Sequence, residues 1–216
     1  MNSIYQIIKI EALQDFKNRY VLSGYLLYLV AVSYVIFLSI TSEVSRPVWV
    51  ALYWITLIFG SINALMKSFY KESKGLALYY HMMASPRTII LAKMIYNLFT
   101  NIVIAFINYG LFTLFLGNPF ESDVRFIYVI VMGASGIACL LTFMSAISSK
   151  TDQAQTSMAI LSLPLLIPLL ISLVNLSLQL NMPVIRETGY IWLIPLGLNF
   201  VIFSLAVLLF PYLWTE

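Results

Sequence analysis

The chain has 216 residues, 61% of them hydrophobic and only 10% charged, against roughly 45–50% apolar and about 25% charged in an ordinary soluble domain. That balance excludes a water-soluble globule, and the net charge of +3 is too small a surplus in such a chain to point to nucleic acid. At roughly 20 apolar residues per bilayer crossing, the length leaves room for about six spans and for no sizeable domain outside the membrane.

Residues 1–20 carry Lys9, Glu11, Asp15, Lys17 and Arg19 before any long apolar run, unlike a cleaved signal peptide. A helix here puts Met1, Ile4, Tyr5, Ile8, Ala12 and Phe16 on one face, with Gln6, Lys9, Lys17 and Asn18 elsewhere and Glu11 and Asp15 fraying one edge. The pattern predicts a helix lying along the membrane interface and leading into the first span.

Apolar runs bounded by charges and by Gly, Pro, Ser and Asn clusters follow at about 21–40, 48–66, 88–116, 125–147, 155–179 and 190–212. Their length and unbroken apolarity predict six transmembrane helices, whereas a β-barrel would show alternation over segments of about ten residues. Lipid cannot satisfy open backbone groups, which also favours helices. The expected fold is all-α and polytopic, one transmembrane domain over residues 1–216 without internal repeats.

Between the second and third runs, Ser68–Pro86 is far longer than a chain reversal requires. Lys71, Glu72, Lys74 and Gly75 make its first half polar, and Leu76, Leu78, Tyr79, Tyr80, Met82 and Met83 make its second half apolar and aromatic. Such a segment suits a short surface helix with one side available to a soluble partner; it equally suits an interfacial helix with a Lys and Tyr fringe reaching for the headgroups. Lys93 sits close to one end of the third run, where its stem is expected to reach the interface. Cys139 has no second thiol in the chain, which excludes disulfide, redox and zinc-ribbon readings and leaves a small packing residue. In "LSLPLLIPLLISL", Pro164 and Pro168 each remove a backbone donor. Ser162, Ser172 and Asn175 are placed to satisfy the freed carbonyls, and the stretch reads either as a static kink or as a conformational hinge.

Orientation follows from the basic residues. Lys9, Lys17, Arg19, Lys67, Lys71, Lys74, Arg87, Lys93 and Lys150 collect on one side, against Arg46, Arg125 and Arg186 on the other. Both termini and the 67–87 and 148–154 connections are therefore expected in the cytoplasm. Trp49, Tyr190 and Trp192 would then mark the outer interface, and Tyr212 and Trp214 the inner one.

Stand-alone chemistry is scarce. No Asp, Glu, Lys or Arg falls near the middle of a predicted span, where each would cost about 2.5–3.5 kcal/mol on insertion scales and is rarely kept without a use. Proton relays, sodium sites and carboxylate pairs lack raw material. There is no G-x-x-x-x-G-K-[S/T] sequence to cradle a nucleotide. His81, the single histidine, has no second His and no nearby Cys, a poor basis for a metal site. We therefore expect no catalytic, cofactor-binding or metal residue, and any active transport must draw its energy from another subunit.

Three stretches carry a resemblance to a known family. One is "NALMKSFYKESKGLALYYHMMASPRTIILAKMIYN", in which Phe69, Glu72, Gly75, Leu76, Pro86, Leu91, Ala92 and Lys93 follow a family pattern. Another is "LSLPLLIPLLI" in the fifth run, and the last is the length and spacing of the runs across essentially the whole chain. Together they resemble the haem exporter protein B family, the membrane subunit of the cytochrome c maturation machinery, within the type-2 ABC exporter class. The outer loops and "RETGYIWLIP" are generic, and the surface connection has more Tyr, Lys and Ser than the family's acidic version.

The resemblance implies a non-catalytic permease subunit of the bacterial inner membrane, embedded in lipid and paired with a separate ABC ATP-binding subunit. Two copies of each are implied, since an ABC unit needs two nucleotide sites. It also implies a haem-handling membrane protein, a periplasmic haem chaperone and, in some systems, a small membrane subunit. ATP would sit on the partner and haem would be handled by the complex, with hydrolysis serving release of the haem-loaded chaperone or haem export. The length and mixed character of residues 68–85 make them the expected coupling element, with Phe69, Lys71, Glu72, Gly75, Leu76, Tyr79 and Tyr80 toward the ATPase, and Pro164 and Pro168 as the hinge. The layout alone equally permits a type-2 ABC permease for a lipid, polyketide or drug; an ATP-independent channel or a membrane scaffold is the reading from another class.

Overall fold

The computed structural model describes residues 2–17, 19–40, 44–65, 84–120, 124–149, 154–180 and 189–214. Among them are seven α-helices: α1 (Asn2–Lys17), α2 (Arg19–Ser39), α3 (Arg46–Leu65), α4 (Pro86–Leu116), α5 (Arg125–Ser148), α6 (Ala154–Gln179) and α7 (Leu193–Trp214), the last led in by a 3₁₀ turn at Gly189–Trp192. The helices lie where the apolar runs place them. Among the described residues, five stretches are long and apolar enough to cross a membrane: Arg46–Leu65, Pro86–Leu116, Arg125–Ser148, Thr156–Gln179 and Tyr190–Tyr212. In α2 the apolar stretch Ser23–Ser39 is shorter.

Local chemistry sets the helix ends. Ser85 is extended (φ −67°, ψ 152°) and Pro86 opens α4, where its fixed φ suits a first turn and its missing N–H is not needed. The Ser85 carbonyl accepts from the N–H groups of Thr88 at 2.9 Å and Ile89 at 3.1 Å. At the other end Gly117, at φ 78°, turns the chain out of the helix while its N–H still reaches the Thr113 carbonyl at 3.2 Å. A side chain at that φ would be strained.

Helix α5 is the centre of the bundle, packed against α3, α4, α6 and α7. Gly133, Ala134, Gly136, Ala138 and Cys139 are buried along it, and small residues let neighbouring backbones approach closely where lipid supplies no hydrophobic drive. A β-carbon on Gly133 would collide with the Trp54 ring of α3, and one on Gly136 with Asn199 of α7. Cys139 is a buried free thiol, in keeping with a packing role. Helices α6 and α7 line the outside and expose Leu163, Ile171, Phe200 and Leu208.

Three expectations are corrected here. In α1 Ile7 and Glu11 are buried among the described side chains; the acids do not fray the packed face but help to form it. Trp49 is not an interfacial anchor. It is fully buried, stacked on Tyr53 with centroids 5.5 Å apart, and edge-on to Phe112, Phe120 and Phe126; its indole N–H donates to the Gly117 carbonyl at 3.0 Å. An aromatic core at this end of α3 and α4 satisfies the indole better than an interface would. Finally, Ser162 and Ser172 donate to the carbonyls of Ala159 at 2.9 Å and Leu169 at 2.7 Å, not to those of Ile160 and Pro164 that the prolines leave open.

Candidate functional site

The residues expected to meet an ATPase, Phe69, Lys71, Glu72, Gly75, Leu76, Tyr79 and Tyr80, lie outside the described residues, as do His81, Met82 and Met83. Pro164 and Pro168 lie inside an unbroken α6 and face outward. What the described residues assemble is a polar seam along α4.

Lys93, Asn97, Asn101 and Asn108 recur at intervals of 4, 4 and 7 residues, which keeps them on one face of a helix. All four are buried. Nearest the start of α4, the Lys93 ammonium is 1% exposed and donates to Glu11 Oε1 of α1 at 2.7 Å. One turn on, the Tyr96 hydroxyl donates to Asp15 Oδ2 at 2.7 Å. Lys93 thus does not send its stem to the interface as expected. Taking the charge out of water is costly, and only a close partner with further hydrogen bonds offsets the loss. Removing one member of a buried pair typically costs about 3–5 kcal/mol, because the other charge is stranded.

Deeper along α4 the seam becomes neutral. Asn97 Nδ2 donates to Thr142 Oγ1 of α5 at 2.8 Å, and Thr142 passes the chain on to the Ala138 carbonyl at 2.6 Å. Asn101 Nδ2 donates to the Ala134 carbonyl at 2.9 Å, and its Oδ1 lies 2.6 Å from the Ser61 hydroxyl of α3. Asn108 Nδ2 donates to the Tyr53 carbonyl at 3.2 Å, and the Tyr53 hydroxyl returns to the Ala105 carbonyl at 3.2 Å. One helix is thereby stitched to α1, α3 and α5 by directional bonds. Such bonds between helices in a bilayer are worth about 0.6 kcal/mol on average and up to about 1.7 kcal/mol, but unlike apolar packing they fix a register.

At the far end of α4, Arg125 donates to the Leu180 carbonyl at 2.7 Å and Arg46 to the Ser177 carbonyl at 3.4 Å. Two helix-opening arginines thus meet the negative end of α6. The Arg46 guanidinium also stands 4.3 Å above the Phe120 ring, an attractive placement.

The seam was missed by reading the chain span by span. Its spacing was visible in the third run, but the partner of Lys93 lies 82 residues away.

The model of the CcmB protein family matches residues 3–212, from α1 through nearly all of α7. The chain belongs to the CcmB family. This bears out the resemblance drawn from the surface connection and the fifth run: the protein is a transmembrane haem exporter protein B of cytochrome c maturation, a multi-pass permease component of a transporter. No curated relative and no solved structure matches it. The match takes in Glu11 and Lys93 alike, so the paired α1 and α4 both belong to the CcmB region.

Proposed function

We propose that this CcmB protein is the permease half of an ABC assembly, with six membrane-crossing helices, both termini in the cytoplasm and ATP hydrolysed on a separate subunit. The assembly delivers haem for cytochrome c maturation, by export or by driving release of a haem-loaded periplasmic chaperone, beside a haem-handling membrane protein. It holds two permease and two ATP-binding chains, and this chain supplies no catalytic group and binds no cofactor of its own. The observation that carries the reading is the family match over residues 3–212. The motif inventory supports the division of labour, since the chain has no phosphate-cradling sequence.

Residues 68–85 couple the two subunits through Phe69, Lys71, Glu72, Gly75, Leu76, Tyr79 and Tyr80, and α4 begins directly behind them at Pro86. Rigid-body motion of the ATPase is passed to the spans through this segment. The test is purification of the tagged chain with its complex, paired with cytochrome c yield in cells. An ATP-binding subunit should co-purify, and Glu72→Trp or Gly75→Trp should release it or uncouple hydrolysis, lowering cytochrome c at unchanged chain level. Normal complexes and normal cytochrome c in both variants would overturn the coupling role. Failure to recover any ATP-binding subunit would favour a channel or scaffold instead.

A further inference from the structure

We infer that Glu11 and Lys93 are positioning residues that hold α1 in one register on the first turns of α4, so that the two helices move as a single lever. The inference deepens the proposed coupling function and rests on it for the source of the force, but the register itself is a property of this chain alone.

Apolar contact between α1 and α4, each of which buries an isoleucine (Ile7 and Ile90), is non-directional and would tolerate sliding by a turn. The polar rungs do not. Glu11 meets Lys93 and Asp15 meets Tyr96, each at 2.7 Å, so residues four apart on one helix engage residues three apart on the other in the same chain direction. A slip of one turn, about 5.4 Å, separates both pairs at once and strands buried charge. A buried ion pair is weak evidence of a stability role, because apolar replacements of similar volume are often tolerated; fixing register is its best-attested use. The location suits a lever. The grip falls on the eighth and eleventh residues of α4, directly after residues 66–85. Helix α1 runs into α2 with only Asn18 between them, so whatever displaces the start of α4 displaces the start of the first apolar helix as well.

The double variant Glu11→Met with Lys93→Met removes the charged rung while keeping apolar volume, and the exchange Glu11→Lys with Lys93→Glu restores it. Nitroxide labels at Leu13 and Ile95, both exposed, report the distance between α1 and α4 in a Cys139→Ala background. In the intact complex the wild-type distance should stay fixed between nucleotide-free and ATP-trapped states. The double Met variant should accumulate and hydrolyse ATP as the wild type does, yet show a broadened distance distribution and form about 5-fold less cytochrome c per ATP, the low end of typical coupling effects; the exchange should restore both.

A wild-type distance that changes by about one turn, or some 5.4 Å, between nucleotide states would overturn the lever. So would a double Met variant with a wild-type distance distribution and undiminished cytochrome c per ATP. Should that variant fail to accumulate, the wild-type distance across nucleotide states still decides. If no ATP-binding subunit co-purifies, the functional reading falls, whereas the distribution width of wild type and exchange variant in lipid nanodiscs continues to test the register.

Discussion

A β-carbon on Gly133 has nowhere to go. The Trp54 ring it would strike is fully buried and pinned by its indole N–H, which donates to the Ser177 hydroxyl at 3.1 Å, so neither ring nor backbone yields cheaply. Gly133→Ala should therefore destabilise the fold by about 1–3 kcal/mol, the usual cost of overpacking a core. Gly110→Ala, with no heavy atom within 4 Å of the new β-carbon, should be neutral or stabilising by up to about 1 kcal/mol, from helix propensity alone. Unfolding of the purified chain in mixed micelles orders the two, and equal effects would show that Trp54 moves aside. Asn101→Ala, measured in the same way, should cost about 0.6–1.7 kcal/mol, since it strips a donor from the Ala134 carbonyl and an acceptor from Ser61. The sequence displays "GASG" as a run of small residues, but which glycine faces an indole is decided by another helix. Lys93 teaches the same lesson. Its distance from the end of its span was legible and suggested a stem reaching water, while the carboxylate that holds it belongs to a remote helix.

At the level of elements, the helices were legible because apolar runs of span length have one low-energy backbone in lipid. Helix faces were less so. In α1 the pattern has Glu11 and Asp15 fraying the edge of the apolar face, whereas both pack toward α4, because Lys93 and Tyr96 make α4 a polar as well as an apolar partner. Helix α6 poses the opposite case. Pro164 and Pro168 point outward from a continuous helix, so their rings fill no core space and truncating them opens no cavity in the chain. Replacing both with Ala restores the N–H groups that bond to the carbonyls of Ile160 and Pro164. The double variant should insert and accumulate as the wild type does, with α6 stiffened. If the prolines serve as a hinge, cytochrome c yield falls while chain level holds, a separation that loss of packing would not produce. An unchanged yield would reduce them to tolerated kinks.

Among the described residues, the charged side chains that bond to a neighbouring helix gather in two tiers. One holds Glu11, Asp15 and Lys93; the other holds Arg46 and Arg125, which meet the last residues of α6. Along α4, the 24 residue steps from Lys93 to Gly117 span about 36 Å at 1.5 Å per residue, slightly more than a hydrocarbon core of about 30 Å. Between the tiers α4 carries no charged residue and meets its partners through neutral groups, a spacing that suits tiers on opposite sides of a bilayer. We propose that the Lys93 tier faces the cytoplasm, on the nine-to-three bias in basic residues that the sequence pattern predicts between the two sides. In a Cys139→Ala background, a membrane-impermeant maleimide should therefore label Val124→Cys, an exposed position beside Arg125, in intact spheroplasts. Lys9→Cys, exposed on α1, should react only after permeabilisation. The opposite pattern would invert the protein and place residues 68–85 on the side without ATP, which would remove the proposed coupling route. Labelling of both positions from outside would instead show that α1 and the Arg125 end share a face of the membrane, and the two tiers could no longer mark opposite interfaces.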